Sequence, residues 1–268
     1  MKMVKKVLLG MVALAAVFTF TSCGPKDDPE GAIKGGGNNV YTIDYTNEGT
    51  ARYRAYRATS QNHAGALVTV QFDASNTNED PSSKLGVIFN LSEKNGKKNF
   101  YCIGIAPDGK YYVSKFFNVT DIQGDNFGVA DANVVNNATA NDPAGTDPSE
   151  IEIVHLGSAS IAKPAKVDNM YTYYIWFQGQ DDGSFQWAIL TGLTASEIAA
   201  YNTSTGVLPA YSTATKVNGA IAVDSSYTSN NKPRQNDVAV YAQVQPNSTL
   251  KGKWKFEGFF KEAEDIEE

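Results

Sequence analysis

The stretch Lys253-Trp254-Lys255-Phe256-Glu257-Gly258-Phe259-Phe260 alternates charge with aromatic rings. Successive side chains of an extended chain point to opposite faces, so Trp254, Phe256 and Phe260 fall on one side and Lys253, Lys255 and Glu257 on the other. Such a strand has one core face and one wet face, as in an antiparallel sheet solvated on one side. Working outward from it, apolar alternation recurs between clusters of Gly, Asn and Asp, and helix-period patterns are nearly absent. This predicts strands over 66–72, 85–91, 100–105, 110–117, 150–156, 171–177, 184–190, 238–244 and 253–260, and hence an all-β protein.

Local turn chemistry supports the pairing of these strands. Pro107-Asp108-Gly109 lies between two alternating runs, and the polar segment 179–183 separates two more, so both places predict hairpins. Thr194-Ala195-Ser196-Glu197 has the spacing of a capping box ahead of Ile198 and predicts one short helix. The long polar stretches 121–149 and 202–236 read as insertions or loops. No internal repeat is present in this reading.

The start of the chain has a different character. Lys2, Lys5 and Lys6 precede an apolar run over 7–20, followed by Phe20-Thr21-Ser22-Cys23 and then Gly24-Pro25. A basic start, a short apolar stretch and small residues at a cut site are the parts of a secretion signal, here residues 1–22. The run falls short of the roughly 20 apolar residues that span a bilayer. The cysteine after small residues resembles a bacterial lipobox, although that family prefers leucine where Phe20 stands; the looser pattern resembles those of Bacteroidetes or spirochaetes. The resemblance implies diacylglycerol on the sulfur of Cys23, acylation of the new amine and anchoring to the outer membrane through lipid, on its periplasmic or surface-exposed face. Two or three acyl chains anchor stably without a transmembrane helix. Residues 23–40 then read as a flexible tether, because a stretch so rich in Gly, Pro, Lys, Asp and Glu buries too little to offset its ordering entropy. The sandwich domain is expected over 41–262, with an acidic tail over 263–268.

Composition limits the partners. Loss of Lys2, Lys5 and Lys6 with the signal leaves 20 basic against 29 acidic side chains, a net charge of −9. With no long basic run, nucleic acid is excluded as a partner class. Once Cys23 carries lipid, Cys102 is the single remaining thiol, and between Tyr101 and Ile103 it reads as a small buried hydrophobe.

The succession Gly86-Val87-Ile88-Phe89-Asn90, then Asn99-Phe100-Tyr101-Cys102-Ile103-Gly104-Ile105, then Asp108-Gly109-Lys110-Tyr111-Tyr112 resembles the middle of the concanavalin A-like jelly rolls of laminin-G and glucanase type. Residues 238–244 and 252–259 resemble the closing strands of the same fold. The likeness implies a two-sheet antiparallel jelly-roll sandwich that binds sugars or proteins on a sheet face or at its rim loops; fold alone does not assign that function. Some laminin-G-like relatives hold calcium on rim carboxylates. Asp121, Asp125, Asp142, Asp147, Asp181 and Asp182 are the candidates, with turn-forming aspartates as the plainer reading and no further cofactor expected.

Two constellations bear on chemistry. Glu150-Ile151-Glu152-Ile153-Val154-His155 resembles the E-x-D-x-x-E strand of laminarinase-like glycosidases, whose first carboxylate attacks the sugar while the last protonates the leaving oxygen. Here His155 stands in the acid's place, so a solvated strand face is the plainer reading. The second is the hairpin strand 171–177, where Tyr173, Ile175 and Phe177 form the better core face. Tyr174 and Trp176 then share the other face with Thr172 and Gln178, and are expected to offer an exposed platform on which a sugar stacks; burial on both faces is the alternative. His63, in the loop before a strand, is expected at the surface. Together these features predict a membrane-anchored extracytoplasmic module that binds a glycan or a surface protein without catalysis. The alternatives are a glycoside hydrolase or lyase using Glu150 and Glu152, or a structural envelope or adhesion component.

Overall fold

The computed structural model describes residues 32–50, 52–74, 82–94, 97–119, 134–137, 151–180, 184–201, 215–222 and 236–260. They form two seven-stranded sheets packed as a sandwich, with one short helix. The first sheet, A, contains β1 (Ile33–Gly36), β2 (Val40–Asn47), β4 (Gly65–Asp73), β10 (Met170–Gly179), β11 (Ser184–Thr191), β12 (Thr215–Ala222) and β14 (Ser248–Phe260), in the order β1-β2-β14-β4-β10-β11-β12. The second, B, contains β3 (Tyr53–His63), β5 (Lys84–Lys94), β6 (Lys97–Ile105), β7 (Lys110–Val119), β8 (Val134–Asn137), β9 (Ile151–Ser160) and β13 (Asn236–Val244), in the order β3-β13-β5-β6-β7-β9-β8. Every pairing is antiparallel except β8 with β9.

The core lies between the sheets and follows the alternation of its strands. Val68, Val70, Phe72, Tyr173, Ile175, Phe177 and Trp254 from sheet A meet Leu85, Val87, Phe89, Tyr101, Ile103 and Val240 from sheet B. Phe89 is the hub, with ring centroids 5.0 Å from Phe177 and 4.9 Å from Phe185. Each large apolar side chain buried here contributes about 1.5–3 kcal/mol through removal from water. β-Branched and aromatic residues dominate because they fit the pleated inner surfaces.

Both expected hairpins form. At the first, Gly109 takes a φ of 91°, and a Cβ there would collide with the Ile161 carbonyl, so glycine is required. The backbone N–H of Lys110 donates to Asp108 Oδ1 at 3.0 Å, and the Tyr173 hydroxyl donates to the Pro107 carbonyl at 2.9 Å, fastening the turn to the opposite sheet. The second hairpin joins β10 to β11, closed by the Gln180 N–H donating to the Ser184 carbonyl at 2.8 Å. Helix α1 (Ala195–Ala199) begins with the expected capping box of Thr194 and Glu197.

Regular structure is present earlier in the chain than expected. Residues 23–40 do not form one continuous tether, because Ile33–Gly36 pairs with β2 as an edge strand and Ile33 is buried in the core. Gly35 belongs there for packing reasons: a Cβ would lie 3.1 Å from Cζ of Arg57, whose Nη1 donates to the Ile33 carbonyl at 3.0 Å. β8 and β12 likewise occupy parts of the stretches read as loops. A bulge between Phe256 and Gly258 reverses the phase of β14, so Phe259 rather than Phe260 continues the face of Trp254 and stacks on Phe256 at 4.7 Å. His63 is in β3 and 8% exposed, stacked on Phe259 at 4.3 Å, not a surface loop residue.

Candidate ligand-binding site

The outward face of sheet B carries a cleft that strand alternation builds directly. In β3, Ala55 faces the core while Arg54 and Tyr56 point outward, and Arg52 precedes them on the same side. β13 lies between β3 and β5, so Gln243 pairs in register with Arg54 on one side and Lys84 on the other. One row across the sheet therefore holds Arg54, Gln243 and Lys84. In the next row Gly86 pairs with Gly104, and Gly104 with Tyr112. Gly104 has no side chain to fill the cleft, whereas at Gly86 the backbone of Ile103 and Gly104 already takes the place of one. Over Gly104 the Lys84 side chain extends until its Nζ lies 3.6 Å from the centre of the Tyr112 ring, a cation–π contact.

The cleft encloses about 270 Å³, and besides the three cations its wall includes Tyr112, Gln243 and Gln245. The amides are fixed by their neighbours. Gln245 accepts from Arg52 Nε at 3.1 Å and donates through Nε2 to the Ser82 carbonyl at 3.3 Å, while Gln243 Oε1 accepts from the Tyr241 hydroxyl at 3.3 Å. Burial pushes the Tyr241 phenol well above its ordinary range, so it remains a protonated donor. Among the described residues lining the cleft there is no carboxylate. Lys84 is accordingly lowered from 10.5 to about 8, first by burial and then by repulsion from Arg52, Arg54 and Lys110, with only Cys102 opposing.

Sequence reasoning missed this site. Its signal was present in Arg52-Tyr53-Arg54-Ala55-Tyr56, where two arginines alternate with an aromatic and an alanine in a strand pattern. What sequence periodicity does not provide is the neighbourhood, since Arg54 meets Gln243 from a strand nearly two hundred positions away.

The platform expected of Tyr174 and Trp176 is absent, because both rings are 7% exposed. They pack with Leu67, Leu190, Leu193 and Tyr201 in a second core on the outer face of sheet A, with Ile198 of α1 against it. The Tyr174 hydroxyl donates to the Leu193 carbonyl at 3.3 Å. Trp176 keeps one edge on a shallow groove with Gln178, Gln186, Lys216 and Asn218. A ring covered in this way offers no face for stacking.

Of the catalytic alternative, Glu150 lies outside the described residues. Glu152 is in β9, its backbone in register with Phe117 of β7, and His155 with Ser114. Cys23, residues 263–268, and Asp121, Asp125, Asp142, Asp147, Asp181 and Asp182 also lie outside the described residues. Among the described residues, no group of three or more His, Cys, Asp or Glu side chains is placed to hold a metal ion, and no helix is long and apolar enough to cross a membrane. Cys102 is buried as expected, and burial holds its thiol protonated.

A scan against protein-family models finds no match, and a search of curated proteins finds none. Among solved structures the chain is similar to the CBM2 module of the evolved Dit protein of Lactobacillus casei BL23 phage J-1. The identity is 10% and the TM-score 0.27, over 81% of this chain and 66% of that one, so the chain spans slightly less than two thirds of that chain's length.

Proposed function

We propose that this chain is an extracytoplasmic module, lipid-anchored through Cys23 to a bacterial outer membrane, that binds a glycan in the cleft on the outer face of sheet B. The observation that carries the reading is the cleft itself: a hollow over Gly104, walled by an aromatic ring, two fixed amides and three cations. Sugars offer hydroxyls that both donate and accept, together with apolar ring faces. The Gln243 and Gln245 amides and the Ser114 hydroxyl can answer the first, and the part of the half-buried Tyr112 ring beside the Lys84 ammonium the second. Such convergence of a few fixed polar groups in a concave site is how small-ligand pockets orient what they hold. The anchor rests on the order of basic start, apolar run and Cys23, and on that cysteine being followed by residues with which no core could begin.

The test uses the full chain purified in detergent on a glycan array, beside Tyr112→Ala. Retention of a defined set of glycans by the wild type and loss of at least tenfold in affinity with Tyr112→Ala is the expected result. An array without bound glycan, or binding indifferent to Tyr112, would sink the reading. For the anchor, fatty-acid labelling that persists in Cys23→Ala would remove the lipid assignment.

A further inference from the structure

The charge of the cleft asks for more than a neutral sugar. The whole chain carries a formal net charge of −6, yet Arg52, Arg54 and Lys84 converge on one cleft. Desolvating an ammonium is costly unless an opposite charge compensates it. Lys84 is half-buried beside Tyr112, and its neighbours make matters worse. The groups facing it are Arg54 and Arg52 from the β3 side, Tyr241 with Gln243 from β13, Cys102 from β6, and Tyr112 with Lys110 from β7. Of these, three are cationic, and the thiol and the Tyr241 phenol are held neutral by burial. A positively charged recess whose described lining holds no carboxylate, and in which none acts on Lys84, is suited to receive an anion.

We propose that the cleft selects an acidic saccharide, a sugar unit whose carboxylate or sulfate sits against the Lys84 ammonium with Arg52 and Arg54 beside it. This rests on the glycan reading of the same cleft. The anion supplies the compensation that Lys84 lacks, and the hydroxyls of the same unit meet Gln243, Gln245 and Ser114. Binding is then coupled to a proton. In the empty cleft Lys84 loses its proton near pH 8, whereas beside an anion it keeps it, so complex formation takes up a proton above that pH. Affinity falls as pH rises through about 8, by about tenfold between pH 7 and pH 9 if the charged lysine is required.

The experiment is calorimetric titration of the full chain in detergent, at low salt and at pH 7 and 9. The probes are trimers of galacturonic acid, their carboxyl-reduced neutral counterparts and a sulfated galactose trimer. The expected result is at least tenfold preference for a charged trimer over the neutral one at pH 7, and about tenfold weakening at pH 9. Whether carboxylate or sulfate binds better identifies the anion. Lys84→Arg should keep the preference and flatten the pH step, because its guanidinium does not titrate. Lys84→Met should abolish the preference while melting cooperatively. Equal affinity for charged and neutral trimers would overturn the proposal and leave the glycan reading standing. Preference unchanged in Lys84→Met would also overturn it, by placing the charge elsewhere. Binding of no trimer at either pH would remove both readings together.

Discussion

The outer faces of the two sheets invite comparison, for each sets aromatic side chains among neighbours of mixed polarity. On sheet A, Tyr174, Trp176 and Leu190 lie under the segment 193–201, and the result is a second hydrophobic core. On sheet B, Tyr56, Phe100, Phe116 and Tyr241 form a buried cluster as well, yet beside it the rows of Arg54 and Gly104 leave an open cationic recess. Aromatic density therefore marks burial on both faces. What separates the recess is the missing side chain of Gly104 in the second row and the convergence of Arg54 and Lys84 in the first, with no carboxylate among the described residues that line it.

The largest effect that would break this comparison is in Trp176. If the outer face of sheet A is core, Trp176→Ala lowers stability by about 3–5 kcal/mol, read as a drop in melting temperature, while affinity in the sheet B cleft stays at the wild-type value below the new transition. A melting temperature like that of the wild type would return Trp176 to the surface. Intermediate in size is Lys84→Met. The folded pKa of Lys84 lies below the unfolded one, so the unfolded chain holds more protons between about pH 8 and 10.5, and wild-type stability rises with pH across that window. Below pH 8 the variant should melt several degrees higher than the wild type, with the gain shrinking as pH approaches 10. A gain independent of pH would mean that the lysine's charge is not what the fold resists. The smallest is Thr194→Ala. The Thr194 N–H donates to Glu197 Oε2 at 2.8 Å, and Thr194 Oγ1 accepts from the Glu197 N–H at 3.2 Å. Losing this cap costs about 1 kcal/mol, and hydrogen exchange in 195–201 should quicken while β5 and β13 remain unchanged.

Much of the scaffold was legible because its evidence is local. The alternation in 66–72, 171–177 and 253–260, the glycine of Asp108-Gly109 and the Thr194 to Glu197 spacing each depend on residues within one element. The misses have three physical sources. Gly35-Gly36-Gly37 read as tether, but Gly35 is short because the Arg57 guanidinium occupies the space of a side chain. The bulge in β14 shifts a face by one residue, which periodicity cannot announce. The polar neighbours Thr172 and Gln178 suggest a wet face for Tyr174 and Trp176, whereas their burial is decided by Leu193 and Tyr201, which pack against them. The cleft was least legible of all, since Arg54, Lys84 and Tyr112 each look like ordinary strand residues until β13 brings the first two to either side of Gln243.

The pairing of Ile33–Gly36 with β2 also sets a length. With the lipid proposed on Cys23, a leash running to residue 41 would reach about 60 Å when fully extended, while one ending at Ala32 reaches about 30 Å. With that anchor the domain would be held within that distance of the headgroups, which brings whatever coats the bilayer itself into its catchment.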